Sequence, residues 1–146
     1  MHFITGGAFN GKKAWVKNYY RIERHLDYQW VSSYENENLP EDLSPFRKKL
    51  LFLEGIELWV KGILLKTDVE ECRRRWDEKL AKWQCWEDAA PENKVILIGT
   101  DISKGIVPLE KDERAWRDVT GWCYQDTTQI ADRVDLVWYG INQQIK

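Results

Sequence analysis

A chain of 146 residues, 43% hydrophobic and 32% charged, has the size and make-up of a single globular domain over residues 1–146, too short for two comfortable cores. Its formal net charge of −2 argues against a general nucleic-acid or membrane surface, and no apolar run approaches the length of a membrane span. Cys72, Cys85 and Cys123 are odd in number and lack metal-ligand spacing. With no signal-peptide pattern before the first apolar run, they read as free thiols of a cytoplasmic protein.

The first element is a short buried strand over residues 2–5. It runs into Gly6-Gly7-Ala8-Phe9-Asn10-Gly11-Lys12-Lys13. Residues 11–24 then carry charged and aromatic side chains at helical spacing, with Ala14, Trp15, Asn18, Tyr19 and Ile22 on one side. A strand, a glycine-rich turn and a helix N-terminus in that order can cradle phosphate. Gly6, Gly7 and Gly11 can take positive φ and bring backbone N–H groups close to an anion. The helix start adds unpaired N–H groups and the positive end of its dipole, and Lys12 adds a mobile cation. The spacing Gly6-x-x-x-x-Gly11-Lys12 meets the P-loop pattern at every position but the last. There a Ser or Thr hydroxyl would ligate the Mg²⁺ carried by a nucleotide, and this chain has Lys13. A glycine-rich turn that merely precedes a helix is the plainer reading of the same residues.

Residues 28–34 read as a strand with Tyr28, Trp30, Ser32 and Tyr34 on one face, and the acidic stretch 35–45 as a loop or short helix. Residues 49–55 are an apolar run ending in Glu54 and Gly55, as a central parallel strand ends at an α/β active-site edge. A helix over 56–65 follows. Thr67-Asp68-Val69-Glu70 has capping-box spacing and opens a longer helix with Val69, Cys72, Trp76, Leu80 and Trp83 as its apolar stripe. Its Arg73-Arg74-Arg75 run reads as a solvated face. Residues 94–99 form a second buried strand, close to Asp101. A turn with Gly105 and Pro108, a helix over about residues 110–131 and a last strand over 134–139 complete the chain. Strands alternating with helices predict an α/β fold, a three-layer P-loop NTPase-like domain with a mostly parallel central sheet. Ligands of such sheets sit at the strand C-termini, so the loop, Glu54 and Asp101 should share one edge.

The C-terminal third carries a more specific signal. Gly105-Ile106-Val107-Pro108, Arg114-Ala115-Trp116-Arg117-Asp118, Gly121, Gln125, Ala131-Asp132-Arg133-Val134, Val137-Trp138-Tyr139-Gly140-Ile141 and Ile145-Lys146 follow one another in order. They closely resemble the bifunctional adenosylcobinamide kinase/adenosylcobinamide-phosphate guanylyltransferase family of cobalamin biosynthesis. That family also opens on a Thr-Gly-Gly P-loop, matched by Thr5-Gly6-Gly7. Its middle strand ends in an acidic residue followed by a helix with a Trp, matched by Glu54 and Trp59. The resemblance implies a nucleotide-binding domain that takes GTP or ATP at Gly6, Gly7, Ala8, Phe9, Asn10, Gly11, Lys12 and Lys13. It implies phosphorylation of a cobinamide-type corrinoid, then guanylyl transfer through a covalent nucleotidyl-histidine, in a homotrimer. Lys12 would hold the phosphates, and Glu54 and Asp101 would hold Mg²⁺ or orient the acceptor hydroxyl. His25, in Arg21-Ile22-Glu23-Arg24-His25, matches the family's Arg-Ile-x-x-His.

The departures from the family matter as much. Lys13 replaces the P-loop hydroxyl, Thr100-Asp101 stands where the family has Asn and an acidic residue, Ser103 replaces a glycine and Tyr124 an asparagine. The chain is also shorter between the first helix and residue 30, where the family carries a second strand and the segment leading to its histidine. His25 is therefore either the nucleotidylated residue or a surface histidine at a helix end. Glu54 and Asp101 are either metal ligands or carboxylates capping nearby backbone. Lys13 either points away or takes over part of the metal's charge-neutralising role. Three functions stand open: a shortened transferase acting on a cobinamide-type substrate, a non-catalytic nucleotide or corrinoid binder serving as sensor or partner subunit, and an interaction scaffold without a nucleotide.

Overall fold

Phe3-Ile4, Leu51-Phe52-Leu53 and Val95-Ile96-Leu97-Ile98 are apolar on both faces of a strand, and such strands belong in the middle of a sheet covered on both sides. A computed structural model of the chain, describing residues 1–24, 27–43, 46 and 49–146, has them there. Its strands are β1 (His2–Thr5), β2 (Tyr28–Ser32), β3 (Leu50–Glu54), β4 (Lys94–Ile98), β5 (Arg133–Trp138) and β6 (Ile141–Gln144). They form one six-stranded sheet in the order β2-β3-β4-β1-β5-β6, parallel throughout except where β6 runs back along β5. β1 pairs on both sides, Phe3 lying opposite Leu97 of β4 and Val134 of β5.

The helices are α1 (Lys12–Tyr19), α2 (Ile56–Leu64), α3 (Val69–Asp88) and α4 (Lys111–Ile130). Successive strand residues point to opposite faces, and the two cores divide accordingly. Ile4, Phe52, Ile96 and Ile98 pack against Val16 of α1 and against Ile22. Phe3, Leu51, Leu53, Val95 and Leu97 pack against α2, α3 and α4 through Ile56, Trp59, Trp76, Trp83 and Val119. This is the expected three-layer domain with a mostly parallel sheet. Among the described residues no helix is long and apolar enough to cross a membrane.

Several local expectations need correction. The first helix stops at Tyr19, because Arg21 turns into the left-handed region at φ 49, and a single 3₁₀ turn over Ile22–Arg24 follows. Of the expected side, Trp15 and Ile22 do face the core, joined by Lys12, Val16 and Tyr20, whereas Ala14, Asn18 and Tyr19 face outward. A lysine directed inward hid part of that stripe. Strand β2 ends at Ser32, and Tyr34 lies on the 3₁₀ turn Ser33–Glu35. The N-cap of α3 is Asp68, whose carboxylate accepts from Glu71 N at 2.8 Å, while the Thr67 hydroxyl donates back to Ile63 O. Arg74 and Arg75 pair with Glu71 on the surface, as a solvated face should, but Arg73 reaches across to Asp126 of α4 through two bonds of 2.6 Å. Strand β6 lies beyond the last strand that the sequence predicts. It carries Asn142-Gln143-Gln144 at a sheet edge, a polar sequence with no apolar alternation, and follows β5 through the two-residue turn Tyr139-Gly140. Both turn residues have positive φ, 50 and 78, which is the backbone that suits a tight hairpin between twisted strands.

Candidate functional site

The loop between β1 and α1 is shaped by the glycines that sequence spacing singled out. Gly6 has φ 145, and a Cβ there would lie 2.2 Å from the carbonyl oxygen of Val137 on β5. Gly11, at φ 83, is the N-cap of α1, and Phe9 at the crown of the loop is fully exposed with φ 59. The β5–β6 turn props the loop from the side, Gly140 N donating to Asn10 O at 2.8 Å. That contact gives a physical role to the Tyr139-Gly140 step in the C-terminal signature.

Lys12 and Lys13 leave the helix start in different directions, as consecutive helical residues must. Lys12 is buried beneath the loop, its Nζ donating to Gly6 O at 3.0 Å and Gly7 O at 2.8 Å. Burial draws its pKa below the usual lysine range, against the pull of the Glu57, Glu54 and Asp101 carboxylates. Lys13 crosses to the end of β3, where its Nζ donates to Glu54 Oε2 at 2.8 Å. Trp30 Nε1 donates to the same oxygen, also at 2.8 Å, and Glu54 is almost wholly buried.

Beyond this pair the loop faces a cleft of about 690 Å³ lined by residues 8–14, Tyr34, Glu54, Glu57, Ile98 and Thr100. Glu57, in the first turn of α2, is the convergence that sequence reasoning missed. Its carboxylate accepts from Thr100 N at 2.9 Å, from the Tyr124 hydroxyl at 3.3 Å and from the Tyr34 hydroxyl. Burial first and this carboxylate second push the Tyr34 phenol well above its ordinary range. The Glu54-x-x-Glu57 spacing across a strand end and a helix start was the available signal. Tyr124 packs its ring against Gly99 and donates to Thr100 O at 2.9 Å.

Asp101 is at the same sheet edge but not in the same cleft. Its backbone N–H donates to Gly6 O at 2.9 Å. Its side chain accepts from Ser103 N at 2.9 Å and lies 3.4 Å from Lys104, beside a separate hollow on the α4 side. Burial pushes the Asp101 carboxyl up, and the Ser103 bonds with the Lys104 charge outweigh it, leaving the group below its usual range. Glu54 and the loop are thus brought together and Asp101 braces the loop from behind. His25 lies outside the described residues.

Comparison with known proteins adds a second line of observation. The family described as cobinamide kinase / cobinamide phosphate guanyltransferase matches this chain over residues 18–145. The bifunctional adenosylcobalamin biosynthesis protein CobU of Salmonella typhimurium is 30% identical over 113 residues, which is 72% of this chain and 61% of that protein. The bifunctional adenosylcobalamin biosynthesis protein CobP of Pseudomonas aeruginosa is 26% identical over 98 residues, 67% of this chain and 54% of that protein. The matches therefore span less than two thirds of either relative. The family match begins after the loop, so the loop geometry and the family match are separate observations.

Proposed function

The chain belongs to the cobinamide kinase / cobinamide phosphate guanyltransferase family, and on that premise we propose that it binds GTP or ATP above β1 and α1 and transfers a phosphoryl or guanylyl group to a cobinamide-type corrinoid. The observation that carries the proposal is the loop of residues 6–13, with Gly6 and Gly11 at positive φ, Lys12 beneath it and the cleft in front. Its N–H groups and the start of α1 supply the partial positive charge that a polyphosphate needs. Lys12 exchanges its two carbonyl partners for phosphate oxygens when the nucleotide enters.

In phosphoryl transfer the acceptor hydroxyl attacks the γ-phosphorus, the nucleoside diphosphate leaves and the hydroxyl proton passes to solvent or a nearby carboxylate. Little covalent work falls to the protein, and positioning with charge stabilisation supplies the rate. In guanylyl transfer His25 attacks the α-phosphorus of GTP and expels pyrophosphate. A phosphate oxygen of the corrinoid phosphate then displaces the imidazole and takes the guanylyl group.

The test is incubation of the protein with cobinamide and either GTP or ATP, with chromatography of the corrinoid products, beside Lys12→Ala. Cobinamide phosphate should form with the parent chain and fall at least about tenfold in the variant. No product and no nucleotide binding in the parent chain would remove the proposal.

A further inference from the structure

The last position of the loop pattern holds an ammonium where a metal-ligating hydroxyl belongs, and the donors around it do not fit a divalent cation. Lys13 Nζ lies 2.8 Å from Glu54 Oε2 and 3.9 Å from Glu35 Oε1, over the Trp30 ring at 5.2 Å from its centroid. With Trp30 Nε1 on the same Glu54 oxygen, a Mg²⁺ bound to that oxygen would displace two donors and meet an ammonium at ion-pair distance. Asp101, the second expected ligand, is held by Ser103 and Lys104 beside another hollow.

The cation in that place belongs to the chain itself. The Lys13 side chain is 43% exposed, fixed at one side by an almost buried carboxylate and open at the other to the cleft. An ammonium has three donors, so the bond to Glu54 leaves two for phosphate oxygens. Lys12 below the loop and Lys13 on the far wall would then bracket the polyphosphate from two sides. A P-loop Mg²⁺ bridges the β- and γ-oxygens and neutralises their charge. Lys13 supplies the neutralising part by hydrogen bonds, with no inner-sphere coordination.

We propose that the cleft takes the nucleoside triphosphate without its Mg²⁺, the Lys13 ammonium held by Glu54 standing in the metal's place. The proposal rests on the nucleotide-site reading above and specifies the ionic form of the ligand. Glu54 becomes a positioning residue for Lys13 rather than a metal ligand.

Calorimetric titration of GTP and of ATP, in EDTA and in excess Mg²⁺, tests this on the full chain, on Lys13→Ser and on Lys12→Ala. The parent chain should bind at least as tightly in EDTA as in Mg²⁺. Lys13→Ser, which restores the hydroxyl and releases Glu54, should bind about tenfold or more tightly in Mg²⁺ than in EDTA. Lys12→Ala should lose binding in both media. Parent binding about tenfold weaker in EDTA would overturn the inference and leave the nucleotide site standing. No parent binding in either medium would overturn both. A Lys13→Ser variant as indifferent to Mg²⁺ as the parent would remove Lys13 from the role. The two parent titrations decide the matter alone should that variant fail to fold.

Discussion

Gly6 and Gly7 are adjacent, both belong to the loop, and the structure asks different things of them. Gly6 has φ 145, and an added Cβ would press on the Val137 carbonyl oxygen at 2.2 Å, a backbone atom held inside the sheet. Gly7 has no left-handed backbone, and its added Cβ would meet Asn10 Nδ2 at 2.5 Å, the end of a side chain that can swing away. Gly6→Ala should therefore cost roughly 3 kcal/mol through strain and overlap. Gly7→Ala should cost less than about 1 kcal/mol. Urea unfolding of the two variants checks the ranking, and equal midpoints would mean that the loop does not rest on β5 as described. The same scale shows what could be read from sequence. The glycine spacing and Lys12 were legible because P-loop chemistry is local in the chain. The partner of Lys13 was not, since Glu54 and Trp30 arrive from other strands.

Among the elements, α3 and α4 lie with α2 on one face of the sheet, and their contact is a mixture of buried rings, thiols and bridging polar groups. Trp76 Nε1 donates to the Thr127 hydroxyl at 3.0 Å, which in turn donates to Cys123 O at 2.7 Å. Cys72 and Cys123 are fully buried in this layer, while Cys85 is on the exposed side of α3. Burial pushes the Cys72 thiol up to about 11 and the Cys123 thiol higher still. Thiolate is the reactive form, so the two buried groups are doubly protected. A chromogenic disulfide reagent should modify Cys85 rapidly in the native protein and the other two only in denaturant, with Cys85→Ser abolishing the fast phase. Rapid modification of all three would mean that α3 and α4 do not pack as described. The stripe of α3 was legible because its apolar residues recur every three or four positions. The stripe of α1 was partly hidden by an inward lysine, and β6 was hidden by a polar sequence that reads as a tail until a hairpin folds it onto β5.

For the molecule as a whole, the central strands were legible from runs of apolar residues, and their order across the sheet was not, because strand order depends on crossovers that no local pattern records. The same limit hid the Glu57 cluster, which draws on residues far apart in the chain. It also hid the group that ties β1, β5 and β6 together beside α1. His2 on β1 is buried, with Nδ1 2.7 Å from the Tyr20 hydroxyl and Nε2 2.8 Å from Asp135 Oδ2. Asp135 on β5 accepts in addition from Arg133 and, at 2.7 Å, from Asn142 Nδ2 on β6, so one carboxylate joins β1, β5 and β6 next to the end of α1. These partners fix the neutral imidazole with its proton on Nε2, donating to Asp135, and with Nδ1 accepting from Tyr20. Burial, ahead of the opposing Asp135 bond and charge, lowers the His2 pKa from 6.5 to about 4. Above 6.5 the ring is neutral in both folded and unfolded chains. Between 6.5 and about 4 only the unfolded chain takes up the proton, so stability falls as pH falls through that window. Integrated over the window the loss is about 3 kcal/mol. Below it, Asp135, whose carboxyl is also held below its usual range, adds a further loss as it protonates. Urea unfolding at several values from pH 7 to 4, compared between the parent chain and His2→Gln, isolates this residue. The glutamine variant should start less stable and show a flatter decline between 6.5 and 4. Parallel pH profiles would mean that His2 titrates alike in folded and unfolded chains, and that the network around Asp135 does not hold the imidazole neutral.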